Sequence, residues 1–331
     1  MRRRDFLAGL VLAAMTGPAR AQAPAQERRI AFVHVAIPAD QLTETGSTLW
    51  IREFFQALRR LGYAEGRNLI VERYSAEGHL GRLADLARTV LSRNPDLIVT
   101  HGPFVAQFRA ATATVPIVAI MADPISLGIV TSFARPGANI TGAAVDAGIE
   151  LYGKQLQILK EAVPSASKIA YLCSHLDWDG ALGRDLRDSA QRLGLSLTGI
   201  LIEEATPAQF RRAFAEIVQQ QVNAMMVSTS GEYLANRQLI VELAGTSRLP
   251  GMYPYRDFVE AGGLMAYAPD LAELARQLAD QVRQILQGAK PGDIPIYQAT
   301  TFKLIVNLRA AKALGLTIPP SIFVRADEVI E

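Results

Sequence analysis

Short β-rich apolar runs alternate with amphipathic helical stretches along most of the chain, and the alternation occurs twice. Such a pattern predicts βα units built on parallel sheets. In the first half, strands are expected at 30–35, 68–74, 96–100, 116–121 and 139–145, with helices at 48–61, 80–92, 104–113 and 125–133. The second half carries the same units. Ile30-Ala31-Phe32-Val33 answers to Ile169-Ala170-Tyr171-Leu172 at an offset of 139. The stripe Trp50, Phe54, Leu58, Leu61 answers to Leu182, Leu186, Ala190, Leu193 at an offset of 132. Both helices run into a glycine, Gly62 or Gly194, suited to a left-handed cap. The next stripe, Leu83, Leu86, Ala87, Val90, Leu91, answers to Phe210, Ala213, Phe214, Ile217, Val218 at an offset of 127, and Asp96 to Asn223 at the same offset. The offset changes only between elements, where insertions cost little. The chain of 331 residues thus reads as two similar lobes. In open parallel sheets ligands bind beyond the carboxyl ends of the strands, so site residues are expected just after them.

The N-terminus reads as a targeting segment. Arg2, Arg3 and Arg4 precede an apolar run from Phe6 to Thr16, and Ala19-Arg20-Ala21 has the form of an A-x-A cleavage site. That run of 11 residues is short of the roughly 20 that a membrane-spanning helix needs. Export with cleavage after Ala21 is therefore expected, by a twin-arginine or a general secretory route, giving a periplasmic protein. No cysteine lies at the cleavage site to carry a lipid. Taking that segment's four arginines and one aspartate from 34 basic and 32 acidic residues leaves 30 and 31. A balance so near zero gives no reason to expect nucleic acid or an anionic membrane as partner. A single cysteine, Cys173, lies in an apolar run and excludes an internal disulfide.

Enzyme signatures are absent. There is no G-x-G-x-x-G after the first strand, no P-loop and no G-x-S-x-G elbow. The four histidines, His34, His79, His101 and His175, show no metal-ligand spacing, so no metal or cofactor is expected.

Several segments resemble a known family when taken together. They are Leu61-Gly62-Tyr63-Ala64-Glu65-Gly66-Arg67-Asn68, Asp123-Pro124-Ile125-Ser126-Leu127-Gly128, and Arg135-Pro136-Gly137-Ala138-Asn139-Ile140-Thr141-Gly142. Later come Arg256-Asp257-Phe258-Val259-Glu260-Ala261-Gly262-Gly263, Asn307-Leu308-Arg309-Ala310-Ala311-Lys312-Ala313-Leu314-Gly315-Leu316, and Arg325-Ala326-Asp327-Glu328-Val329-Ile330. The set resembles the ABC-transporter substrate-binding proteins related to the tryptophan/tyrosine-binding proteins. The resemblance implies an α/β type I periplasmic-binding fold of two Rossmann-like lobes with parallel sheets and three hinge crossings. These crossings are expected near 141–145, 263–267 and 297–302. Lobe one would be 28–143 plus 267–297, and lobe two 144–264 plus 298–331. It further implies a monomeric carrier that closes on a small amino-acid-like or aromatic solute and passes it to an ABC permease. A ligand-sensing role beside a membrane signalling protein is the alternative reading.

The strand-end rule selects the candidate ligand residues. Thr100, His101 and Gly102 end one strand, where a hydroxyl and free helix amides suit a carboxylate, although they could equally start the helix. Asp123 precedes Pro124 as an N-cap would, and Asp146 follows the strand at 139–145. In the second lobe His175, Asp177 and Trp178 follow its first strand, Trp178 either stacking on a ligand or covering the loop. Ser228, Thr229, Ser230 and Glu232 follow the strand at 224–227. Tyr253, Arg256 and Asp257 come next, the last two able to pair with each other or with a zwitterion, and Tyr267 stands at the second crossing.

Overall fold

A computed structural model describes residues 27–125, 127–145 and 149–331. The expected export segment, Ser126 and the candidate Asp146 lie outside the described residues.

β1 (Arg28–His34) contains the unbroken apolar run Ile30–Val33, with no polar alternation, and five of its seven residues are buried. A strand buried on both faces belongs in the middle of a parallel sheet. β1 pairs in parallel with β2 (Leu69–Ser75) on one side and β3 (Leu97–His101) on the other. β4 (Ile117–Met121) and β5 (Ile140–Ala144) extend that sheet. The second lobe repeats the layout with β6 (Lys168–Cys173), β7 (Ser196–Leu201), β8 (Ala224–Val227), β9 (Gly251–Tyr253) and β10 (Met265–Pro269). Three late strands complete the sheets: β11 (Tyr297–Gln298), β12 (Phe302–Asn307) and β13 (Glu328–Ile330). The orders are β2-β1-β3-β4-β5-β11 and β7-β6-β8-β9-β10-β12-β13. Each strand of the first sheet thus has its counterpart in the second up to the sixth place. There the two differ: β11 runs parallel to β5, and β12 runs antiparallel to β10.

The duplication extends to individual hydrogen bonds. The Arg29 N–H donates to the Asp96 carboxylate at 2.7 Å and the Asp96 N–H returns to the Arg29 carbonyl at 2.8 Å. In the other lobe the Lys168 N–H donates to the Asn223 side-chain oxygen and the Asn223 N–H to the Lys168 carbonyl, both at 3.0 Å. The glycine caps match as well. Gly62 and Gly194 take φ of +93° and +68°, and the residue after each donates back at 2.9 Å, Tyr63 to Leu58 and Leu195 to Ala190.

Three local expectations change. The helix expected at 80–92 opens with a 3₁₀ turn and becomes α-helical only at Leu83–Ser92. Leu61 and Val218 end their stripes at the surface, because each falls at the end of its helix where the face turns away from the sheet. No helix forms over 125–133 among the described residues; these are turns. The Asp123 carboxylate accepts from the Ile125 N–H at 2.9 Å and Gly128 takes φ of +64°, so the chain is committed to a turn before a helix can nucleate.

Sheet membership changes three times: after Val145, between Pro269 and Leu271, and between Gln298 and Phe302. The middle change lies beyond 263–267, since Met265–Pro269 is a full strand of the second sheet. The helix Leu271–Leu286 then packs along the helix Leu49–Arg60 of lobe one. One apolar cluster is continuous across both lobes, taking in Phe32, Trp50 and Phe54 on one side and Leu172, Tyr233 and Tyr255 on the other. Among the described residues no helix is long and apolar enough to cross a membrane.

Candidate functional site

The carboxyl ends of β1, β3 and β4 face those of β8 and β9 across the gap between the lobes. A cavity of about 90 Å³ lies there. Lobe one supplies His34, Trp50, His101, Gly102 and the 120–122 strand end, and lobe two supplies Thr229, Ser230, Gly231, Leu234 and Tyr255. A wider groove of about 370 Å³ runs beside it, between Ala36–Pro38 and Gly78 of lobe one and Thr206 and Asn236–Arg237 of lobe two.

The aromatic wall belongs to lobe one. Trp50 sits at the start of its helix and stacks on Phe32, centroids 5.8 Å apart, and on His34 at 6.4 Å. The rings of His34 and His101 lie 3.9 Å apart. His34 Nδ1 accepts from the backbone N–H groups of Ala36 and Ile37, at 3.1 and 2.9 Å, which assigns its proton to Nε2. His101 Nε2 accepts from the Val35 N–H at 3.3 Å, which leaves its proton on Nδ1. Both imidazoles are neutral by construction. Burial holds His34 well below its usual pKa, with His101's charge adding to the effect, and burial pulls His101 down to about 4. His101 also meets the opposite lobe. A Cβ placed on Gly231 would stand 2.2 Å from its Cε1.

The polar wall belongs to lobe two. Tyr255 Oη donates to the Thr229 carbonyl at 2.6 Å, pinning the strand end that carries Thr229 and Ser230. Behind it, Ser228 Oγ donates to Asp177 at 2.8 Å. Asp177 also completes a capping box with Ser174. Glu232 is buried and its Oε2 has no hydrogen-bond partner. Burial first, then the nearby Asp177 charge, pushes its carboxyl up to about 7.

Of the residues selected from sequence, His101, Gly102, Thr229 and Ser230 line the cavity together. Asp123 stands beside it, next to Ala122. The others are used elsewhere. The Thr100 hydroxyl donates to the Val33 carbonyl at 3.2 Å, within the sheet. His175 is exposed and approaches Asp179 at 3.7 Å. Trp178 lies flat on Gly199 of β7, with the Arg187 guanidinium 4.4 Å from its ring, so it covers the sheet. Tyr253 is fully buried and stacks on Phe258 at 5.1 Å. Arg256 pairs with Glu260 and Glu328, which ties down β13. Asp257 is buried, and burial raises its carboxyl above the usual aspartate value. Tyr267 packs on Phe302, and its carbonyl accepts from Gln155 at 2.8 Å. The strand-end rule missed Trp50, which reads in sequence as an ordinary member of a core stripe. Its place at the first turn, level with the end of β1, is the signal that could have set it apart.

The motifs that carried the family resemblance build turns and caps. Asn68 bonds the Ala64 N–H and the Gly62 carbonyl, Asn139 holds the carbonyls of Thr112 and Val115, and Asn307 caps its helix through the Ala310 N–H.

Two lobes of one topology, with an aromatic wall on one and a hydroxyl-bearing wall on the other, define a cleft-type binding protein. The chain belongs to the ABC transporter substrate binding protein family, whose model matches residues 36–330. It is similar to the tyrosine-binding protein of Clostridioides difficile strain R20291, with 24% identity over 266 residues that cover 80% of this chain and 75% of that one. Two solved structures share the fold. A conserved domain protein from Vibrio cholerae superposes with a TM-score of 0.79 at 23% identity, over 92% of this chain and 100% of that one. The ABC domain from Streptococcus pneumonia in complex with L-Trp gives 0.78 at 21% identity, with the same coverage.

Proposed function

We propose that this protein is an exported, non-catalytic carrier that captures an amino-acid-type solute, with aromatic amino acids foremost. It closes on the solute by rotation about the three crossings and passes it to an ABC permease. The observation that carries this reading is the cavity at the facing strand ends. Trp50, His34, His101 and Tyr255 offer ring surfaces of the kind aromatic side chains pack against. Thr229, Ser230 and the backbone of Gly102 offer the few polar groups that orient a zwitterion. Asp177, behind the wall that carries Thr229 and Ser230, supplies negative charge on the lobe-two side, where an ammonium would be attracted, and the Glu232 carboxyl beside it stays largely protonated up to about pH 7. The curated relative is named for tyrosine and one structural neighbour holds L-Trp, which agrees with this chemistry. The basic–apolar–A-x-A N-terminus supports export, and the family supports an ABC partner.

A thermal-shift screen of the chain from Gln22 onward against the proteinogenic amino acids tests the reading. A ligand that binds only the folded state stabilises it by about 2.7 kcal/mol at one hundred times its Kd. L-tyrosine or L-tryptophan should therefore raise the melting temperature by several degrees and be recovered unchanged. A screen without any amino-acid response, or steady conversion of the compound that binds, would remove this proposal.

A further inference from the structure

The two histidines at the cavity each have a ring nitrogen to spare. His34 ends β1 and His101 ends the neighbouring β3. His34 is 1% exposed and His101 7%, and both line the cavity. One nitrogen of each ring is spent as an acceptor on the segment that follows β1. Nδ1 of His34 takes the N–H groups of Ala36 and Ile37, and Nε2 of His101 takes that of Val35. The protons are thereby left on Nε2 of His34 and Nδ1 of His101, and among the described residues neither finds an acceptor. A buried N–H without an acceptor costs free energy until something supplies one. The Nδ1 edge of His101 is turned across the gap, 2.8 Å from where a Cβ on Gly231 would stand. With the ring centroids 3.9 Å apart, both N–H groups belong to one corner of the cavity. That corner suits a negatively charged acceptor. None of the described residues lining the cavity is acidic. The helix Phe104–Ala111, which starts just past Gly102, opens without a side-chain cap, so the positive end of its dipole lies at the same strand end.

We propose that His34 and His101 form the carboxylate site of this carrier: the Nε2–H of the first and the Nδ1–H of the second donate to the carboxylate of the ligand, select a solute that bears one, and fix that end of it toward lobe one. The proposal deepens the carrier reading above and rests on it. Neutral donors receive an anion without leaving a buried charge of their own when the cleft is empty. The ammonium of an amino acid is then left to the lobe-two side, toward Asp177. An amine or a neutral polyol, lacking the carboxylate, leaves both N–H groups without a charged acceptor, and a buried polar site discriminates strongly against such a ligand.

Two substitutions in the chain from Gln22 onward remove the donors and keep the bonds to the chain. H34N retains an oxygen where Nδ1 stood, for the Ala36 and Ile37 N–H groups, and H101Q retains one where Nε2 stood, for the Val35 N–H. Calorimetry compares L-tyrosine with tyramine, which lacks the carboxylate. The parent should prefer L-tyrosine by about tenfold or more, and each variant should weaken L-tyrosine by about tenfold while leaving tyramine near its parent value. A folded variant that keeps the parent's preference, or that weakens both compounds equally, overturns the proposal. A second measurement on the parent needs neither variant nor amino acid. Titration with sodium acetate, against sodium chloride at equal ionic strength, should move the His34 Nε2–H and His101 Nδ1–H proton resonances downfield to saturation, with no such movement in chloride. No movement with acetate overturns the carboxylate site whatever the amino acids do. Movement with acetate in a parent that binds neither L-tyrosine nor L-tryptophan overturns the amino-acid reading alone.

Discussion

At the scale of the residue, the site is governed by which ionisable groups the fold keeps neutral. His34 and His101 each spend one ring nitrogen on backbone N–H groups, so protonation would break those bonds as well as charge a dry site. Their pKa values lie below the unfolded value of about 6.5, and His101 lies near 4. The unfolded chain therefore takes up protons first as the pH falls. The stability these imidazoles contribute is complete above about 6.5 and is lost on acidification toward 4, by at most about 1.4 kcal/mol per pH unit for each ring. Glu232 acts in the opposite sense. Its folded value near 7 lies above the ordinary 4.5, so its stabilising protonated form is complete at low pH and is lost as the pH rises through 7. E232Q, which stays neutral, should gain stability over the parent by up to about 3 kcal/mol at pH 8, with the gain fading toward pH 5. Denaturation midpoints across that range check the prediction; a constant difference would refute it.

At the scale of the element, the decisive position is Gly142. It follows Asn139 and Thr141, whose side chains bind neighbouring backbone carbonyls, and its own carbonyl accepts from Gln281 at 2.9 Å. Gly142 takes φ of +149°, and a Cβ there would stand 1.8 Å from the Ala119 carbonyl oxygen in β4. No side chain can be fitted without separating β4 from β5. Chemical denaturation of G142A should show a loss of about 3 kcal/mol or more, the range of strained backbone combined with overpacking. A loss below 1 kcal/mol would mean that the strand relaxes, at odds with this packing. The Asn-Ile-Thr-Gly segment is thus legible in sequence as important, while its reason, one strand passing unusually close to another, exists only in three dimensions.

At the scale of the whole molecule, the packing of the lobes against each other depends on how closely two surfaces approach. All three of the nearest atoms to a Cβ on Gly231 belong to His101 of the opposite lobe. Within lobe two, alanine at position 231, the first residue of the helix Gly231–Ala235, is no worse than glycine. G231A should therefore lower affinity for its ligand about tenfold or more, since the methyl group would wedge the lobes apart at His101. Titration calorimetry reads the affinity. Unchanged binding by G231A would show that the lobes close without seating His101 on Gly231.

What sequence determined by itself is the architecture. Periodicity, paired glycine caps and the matched offsets specify two copies of one βα plan, because these features depend on local geometry and on burying a stripe or a run. The repeated clip of Arg29 with Asp96 and Lys168 with Asn223 shows how far that legibility extends. It gave out at the turns over 125–133, where a side-chain bond from Asp123 and a left-handed glycine outweigh an apolar pattern. It gave out more fully at the site. Trp50, Thr100 and Trp178 have side chains suited to a ligand, and only the tertiary structure sends one to the cavity, one into a sheet and one over the face of a sheet. A local pattern fixes which residues face inward along an element. Which inward face ends up across from which depends on how the two lobes come together, and that is decided by contacts between residues far apart in the chain.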